Sequence, residues 1–192
     1  FLHFNQRLGA GTSLAAIVPT ATVGVISYAI NGSVAWIPAL ILAAGSVVGA
    51  QIGTRMLPKI SQTVLRWFFV GFLVVVIVSL FLVIPSRDAE FELQLLNGIA
   101  LVLVGVATGI LAGLIGVGGG VIVVPILMLA FGTSDLVAKG TSLLMMIPTA
   151  ISGTIGNLRN RNVDLVAAAL VGVSACTTTC LLYTSPSPRD GL

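Results

Sequence analysis

The clearest chemical feature of this chain is a cluster of glycines inside one long apolar run. Their spacings are four, four, three, two, one and one residues, at Gly105, Gly109, Gly113, Gly116, Gly118, Gly119 and Gly120. The spacing of four places the first three on one helix face, where a second backbone can approach closely. The last four are too close together for a comfortable helix, because each glycine costs about 1 kcal/mol there relative to alanine. The sequence therefore predicts a helix that breaks inside an apolar segment.

Such a break suits the binding of an anion. Successive backbone N–H groups in a tight turn form an anion-binding concavity, and the helix that follows adds the positive end of its dipole. The motif Gly-Thr-Ser occurs twice, at 11–13 and 140–142, and brings hydroxyl donors to two further apolar segments. The residues expected to bind the substrate are Gly116, Gly118, Gly119, Gly120, Thr141, Ser142, Thr12 and Ser13.

Structural roles compete with this interpretation. Glycines at every fourth position also serve plain helix packing, and Thr or Ser hydroxyls in membrane helices often bond to their own helix. Asp164 suits a helix N-cap better than a proton carrier. Whether these groups lie beside the break therefore decides between a substrate-binding role and a packing role.

Composition restricts the class of protein. The chain is 57% hydrophobic and 8% charged, whereas a soluble domain carries about 25% charged residues. We therefore expect a polytopic membrane protein. Its net charge of +3 is typical of cytoplasmic loops, so nucleic acid is not an expected partner.

Six segments are apolar enough and long enough to cross a bilayer, which takes about 20 residues. They are 11–30, 34–53, 63–84, 93–115, 139–158 and 163–182. A seventh segment, 121–131, is too short for a full crossing unless the glycine turn already lies inside the bilayer.

The chain also contains an internal repeat at an offset of 129 residues. Between 11–34 and 140–163, 11 of 24 positions are identical, and they include Pro, Gly, Thr and Asn in register. Two homologous halves, about 1–92 and 93–180, are the usual build of a secondary transporter. The predicted fold class is all-α: a polytopic transmembrane helical bundle with two homologous repeats and a glycine-rich helix break.

The repeat also makes predictions about the ends of the chain. The first half lacks a counterpart of 93–131, and the second half lacks a counterpart of 63–84. Residues 1–180 are therefore predicted to be a permease domain truncated at both ends. Residues 181–192 no longer follow the first half, and we expect them to be a non-native tail.

Loop charges leave two topologies open. One loop holds Arg55 and Lys59 without acids, and another holds Arg159 and Arg161; both compositions favour the cytoplasm. Both loops reach the cytoplasm only if segment 121–131 crosses the membrane. In that case segments 11–30 and 139–158 run in opposite directions, and the repeat is inverted. If 121–131 is re-entrant, the repeat is parallel. The inverted version is preferred, although it places a lysine outside.

Enzyme chemistry is not indicated. His3 is the only histidine, so no Ser-His-Asp or Cys-His set can be assembled, and no phosphate-binding loop occurs. Cys176 and Cys180 lie one helical turn apart without further ligands nearby. We expect no catalysis, no cofactor and no metal.

These motifs resemble one known family. The run from Gly109 to Gly120, then Pro125, then the segment 138–142, looks like the sulfite exporter TauE/SafE family, and so does the segment 49–53. The resemblance covers roughly residues 9–175. It implies a multi-pass permease of the bacterial inner membrane that exports small anions such as sulfite or organosulfonates. The expected partners are thus a small anionic substrate and the lipid bilayer.

A non-transporting membrane scaffold or assembly subunit is the alternative function. A scaffold needs small residues for packing, but it does not need paired hydroxyls beside a broken backbone. The polar content at the breaks is therefore the feature that discriminates the two.

The repeat predicts that this stretch of chain alone does not transport. Completing the reading frame should add a second glycine-rich break about 129 residues before 116–120, by the repeat offset. Sequencing the source DNA upstream of Phe1 checks this. A soluble domain there, without any such break, would contradict the repeat assignment.

Overall fold

The computed structural model describes residues 6–61, six positions between 63 and 74, and residues 95–184. The predicted span 63–84 lies largely outside this part of the chain. His3 and residues 185–192 lie wholly outside it.

The described part of the chain is helical and contains no strand, so the predicted all-α class is confirmed. The helices are α1 (Gln6–Ile30), α2 (Trp36–Met56), α3 (Leu95–Ile115), α4 (Gly120–Phe131), α5 (Asp135–Arg159) and α6 (Leu165–Thr184). Helix α6 continues through Thr184, four residues into the range expected to be a tail.

Four of these helices are long and apolar enough to cross a membrane. The stretches that qualify are Arg7–Ile30, Trp36–Lys59, Gly98–Ile115 and Asp135–Arg159. The described apolar parts of α4 and α6, Gly120–Leu129 and Leu165–Thr178, are shorter. The chain is therefore a multi-pass membrane protein.

The helix directions follow from close contacts. Helices α1 and α5 are antiparallel, because Gly11 lies against Asn157 while Gly24 lies against Leu143. Helices α2, α3 and α5 end where α1 begins. We call this the basic end, because it carries five of the described cationic residues: Arg7, Arg55, Lys59, Arg159 and Arg161. At the opposite end, Lys139 pairs with Asp135 at 2.6 Å.

The contacts between residues 11–34 and 140–163 are reciprocal under the 129-residue offset. A Cβ added to Gly11 would overlap the carbonyl oxygen of Asn162, and one added to Gly140 would overlap that of Ser33. The loops after α1 and α5 also match. Gly32 and Arg161 both adopt positive φ, 66° and 55°, and each closes its turn with a 3.0 Å bond to the carbonyl three residues back.

Helices α2 and α3 approach each other through glycine on both sides. A Cβ on Gly49 would overlap the carbonyl oxygen of Val106, and one on Gly109 would overlap that of Ser46. Gly45, Gly53, Gly105 and Gly113 make equivalent contacts. The two backbones pack at this distance only because no side chain stands between them. The contacts place the end of α3, and so the start of the break, beside α2.

We expect Gly109→Ala to destabilise the protein, because overpacking costs about 1–3 kcal/mol. The matched control is Gly98→Ala in the same helix, where an added Cβ meets nothing within 4 Å. Thermal unfolding in detergent should give a lower midpoint for the first variant and an unchanged or higher one for the second. Equal midpoints would contradict the close α2–α3 contact.

Candidate functional site

The predicted break lies between α3 and α4. Helix α3 ends at Ile115, and α4 begins at Gly120 with Gly119 as its N-cap. Three glycines in between have positive φ: 84° at Gly116 and 79° at both Gly118 and Gly119. L-residues with a side chain rarely adopt such angles, and this explains the local glycine content.

The break passes from near the basic end to the middle of the bundle. Gly116 lies against Ala10, one turn into α1, whereas Gly118 lies against Ile17, close to the middle of that helix. Gly120 lies against Met146, close to the middle of α5. Helix α4 therefore starts at mid-depth and runs about 18 Å toward the opposite end.

Hydrogen bonds satisfy only some of the polar groups of this backbone. The carbonyl oxygen of Gly116 accepts from Ser13 Oγ at 2.7 Å, and that of Gly119 accepts from the N–H groups of Ile122 and Val123. In contrast, no hydrogen bond to another described residue is donated by the N–H groups of Val117, Gly118, Gly119, Gly120 and Val121. The break therefore presents donors without acceptors, next to the positive end of α4.

Two of the four predicted hydroxyl residues lie beside the break. Ser13 holds the carbonyl of Gly116, and it also lies 3.1 Å from the carbonyl of Ala10. Ser142 donates to the carbonyl of Lys139 at 2.8 Å, and its Oγ would lie 3.6 Å from a Cβ on Gly120. Six of the eight predicted residues thus come together: Gly116, Gly118, Gly119, Gly120, Ser13 and Ser142.

Thr12 and Thr141 bond to other elements. Thr12 Oγ1 accepts from the N–H of Asp164 at 3.1 Å, and Thr141 Oγ1 accepts from the N–H of Ala35 at 3.1 Å. These two bonds are related by the 129-residue offset. Thr12 therefore fastens α1 to the loop that follows α5, and Thr141 fastens α5 to the loop that follows α1. Asp164 itself accepts from the N–H groups of Val166 and Ala167, which is the N-cap role expected for it.

Sequence reasoning missed the contribution of the α2–α5 interface. Ser46 hydrogen-bonds to Thr149, and both are fully buried. Gln51 Nε2 donates to Ser152 Oγ at 2.9 Å. The sequence holds one signal for these pairs, namely polar residues at helical spacing within apolar segments. These contacts hold α5, and with it Ser142 and Met146, against α2.

Two buried polar atoms between the break and the basic end have no partner in the described part of the chain. They are Thr154 Oγ1 and Asn157 Oδ1 on α5. Buried polar groups of this kind are commonly satisfied by ordered water.

The described residues near the break carry no ionised side chain. Lys139 is paired with Asp135 near the opposite end, and no three His, Cys, Asp or Glu side chains in the described ranges could hold one metal ion. Any charge bound at the break would therefore be met by backbone and hydroxyl dipoles.

A multi-pass helical bundle with a helix broken at mid-depth has the build of a secondary transporter. The sulfite exporter TauE/SafE family matches residues 1–80 and 101–182. The chain belongs to this family, and the resemblance seen in the sequence is confirmed.

Relatives with curated names agree with this class. Over 192 residues the chain is 27% identical to the probable membrane transporter protein YdhB of Bacillus subtilis, covering 97% of the chain and 78% of the relative. It is 27% identical to YunE, another probable membrane transporter protein of that organism, covering 89% and 69%. A probable membrane transporter protein of Xylella fastidiosa is 28% identical, covering 85% and 64%. No solved structure matches the chain significantly.

We expect Thr12→Val and Thr141→Val to destabilise the protein by similar amounts, because each leaves one N–H without its acceptor, at about 1–3 kcal/mol where that group is buried. The control is Thr22→Val, since Thr22 is exposed and bonds only within its own helix. Thermal unfolding in detergent measures all three. A midpoint lowered as much by Thr22→Val as by the others would overturn the assigned capping role.

Proposed function

We propose that this chain forms part of a permease that exports small anions, such as sulfite or organosulfonates, across the bacterial inner membrane. The observation that carries the proposal is the run of unpaired N–H groups from Val117 to Val121 at mid-depth. An anion supplies the acceptors that these donors lack. Family membership supports the sulfur oxyanion as substrate class.

We also propose that the basic end faces the cytoplasm and that the two halves are inverted repeats. The cation-rich loops at that end support the orientation. The antiparallel course of α1 and α5, with its reciprocal contacts, supports the inversion. In this arrangement α3 ends at the cytoplasmic side, and the break with α4 returns to the outside.

The proposed site binds an anion with partial charges instead of a buried Arg or Lys. The N–H groups of Gly118, Gly119 and Gly120 replace part of the hydration shell, and the dipole of α4 adds a positive potential. The Ser142 hydroxyl lies beside Gly120 and can turn from the Lys139 carbonyl toward the ligand. Because no fixed cation is involved, the bound anion is not trapped by a strong ion pair, and release remains fast.

The membrane potential suffices as a driving force for this function. A negative cytoplasm expels an anion with about 2.3 kcal/mol per charge per 100 mV. The described acids Asp135 and Asp164 lie at helix starts and have partners there, so a carboxylate proton relay through this part of the chain is not needed.

We expect Gly118→Ala to abolish transport, because a side chain at φ 79° is strained and its Cβ enters the site. The matched control is Gly32→Ala, which carries the same strain at φ 66° but meets nothing within 4 Å. The assay is sulfite flux through the complete transporter in everted membrane vesicles. Sulfoacetate and a neutral solute serve as alternative substrates.

Each outcome of this assay is decisive. Sulfite or sulfoacetate flux that is lost with Gly118→Ala and kept with Gly32→Ala supports the proposal. Flux of the neutral solute without anion flux refutes the anion substrate. Absence of any flux in the wild-type protein favours the scaffold function.

A further inference from the structure

Two apolar side chains lie against the glycines of the break whose N–H groups are unpaired. A Cβ added to Gly118 would stand 2.7 Å from Met146 Cε and 3.1 Å from Ile17 Cδ1. A Cβ added to Gly120 would stand 2.5 Å from Met146 Sδ. Both side chains therefore cover the face of the break on which side chains at Gly118 and Gly120 would stand.

Ile17 and Met146 are equivalent positions of the two halves, since they are 129 residues apart. They come from α1 and α5 near the point where these antiparallel helices pass each other. The contacts that flank them are also reciprocal: Leu14 with Gly153 and Gly24 with Leu143. The pair thus closes the interface between α1 and α5, which we call the seam, at the depth of the break.

We infer that Ile17 and Met146 form an apolar gate over the anion site, and that Met146 is its moving part. This inference rests on the proposed function. Isoleucine is branched at Cβ and has few rotamers, so it forms a fixed wall. Methionine is unbranched and flexible, and its thioether can leave the break without a backbone shift. The gate also limits substrate size, because the space it frees is that of one side chain.

The neighbouring methionine provides a matched comparison. Met145 is fully buried in an apolar cluster with Leu42, Leu101, Val123 and Leu127. Its Cε would lie 3.4 Å from a Cβ on Gly119, so it also touches the break. However, Met145 is held on all sides, whereas Met146 is only partly buried.

Cysteine substitution tests the gate in the complete transporter, with Cys176 and Cys180 changed to Ser. The variants are Met146→Cys, Ile17→Cys and, as control, Met145→Cys. The probe is the anionic reagent methanethiosulfonate ethylsulfonate, which forms a mixed disulfide with an accessible thiol and releases methanesulfinate. We expect labelling at 146 and 17 at least tenfold faster than at 145. We also expect slower labelling at 146 and 17 when sulfoacetate is present, because sulfoacetate, unlike sulfite, reacts neither with the thiosulfonate nor with the mixed disulfide.

The labelling result separates this inference from the proposed function. Equal labelling rates at 145 and 146, or no effect of sulfoacetate in a protein that transports sulfoacetate, would overturn the gate. If the wild-type protein moves no anion, the proposed function fails by its own assay and the gate fails with it. A cross-link by mercuric ion between Ile17→Cys and Met146→Cys, but not between Ile17→Cys and Met145→Cys, checks the facing geometry independently of transport.

The relative flux of a larger and a smaller anion provides a further test of the gate. Met146→Ala enlarges the opening, so we expect the ratio of sulfoacetate flux to sulfite flux to rise several-fold, while Met146→Leu keeps the ratio near that of the wild type. A ratio unchanged by Met146→Ala would contradict the role in substrate size. Thermal unfolding of both variants verifies that they are folded.

Discussion

Inside a bilayer, every backbone N–H and C=O group must find its partner within the protein or in a cavity that it lines. The rest of this structure depends on how the chain between α3 and α4 meets that constraint. Its carbonyl groups at Gly116 and Gly119 are satisfied by Ser13 and by the first turn of α4. Its N–H groups from Val117 onward are not satisfied by the described residues. These donors need an acceptor to complete them, and this need is the chemical property of the break on which anion binding depends.

Close packing places these donors at mid-depth. Glycine on both α2 and α3 leaves no side chain to hold the two helices apart. The end of α3, and with it the start of the break, therefore lies next to α1. Hydrogen bonds of Ser46 with Thr149 and of Gln51 with Ser152 fasten α5 to α2. The three helices α2, α3 and α5 therefore form the fixed frame against which the break and α4 are positioned.

The lengths of the apolar runs predicted the helices well, because an apolar run of bilayer length leaves few alternatives. Two helices begin earlier than predicted: α1 begins at Gln6 rather than 11, and α5 at Asp135 rather than 139. Polar first turns hide such starts from a search for apolar residues. From the sequence, the Thr and the Ser of each Gly-Thr-Ser motif are both expected to bind the substrate. In the structure Thr12 bonds across to Asp164 whereas Ser13 turns to Gly116, because adjacent helix positions point about 100° apart.

The pattern of apolar runs and glycines could not reveal Ile17 and Met146, because a single apolar residue in an apolar helix carries no signal. Their position follows only from the crossing of α1 and α5. Thr12 and Thr141 fasten the two ends of this seam to the loops beyond it, while the described contacts in its middle are apolar. Sliding α1 along α5 would break both bonds, at about 1–3 kcal/mol for each buried N–H left unpaired. A rotamer change of Met146 breaks neither bond, because it moves only between staggered wells. Opening of the gate by side-chain rotation is therefore favoured over a shift of the helices.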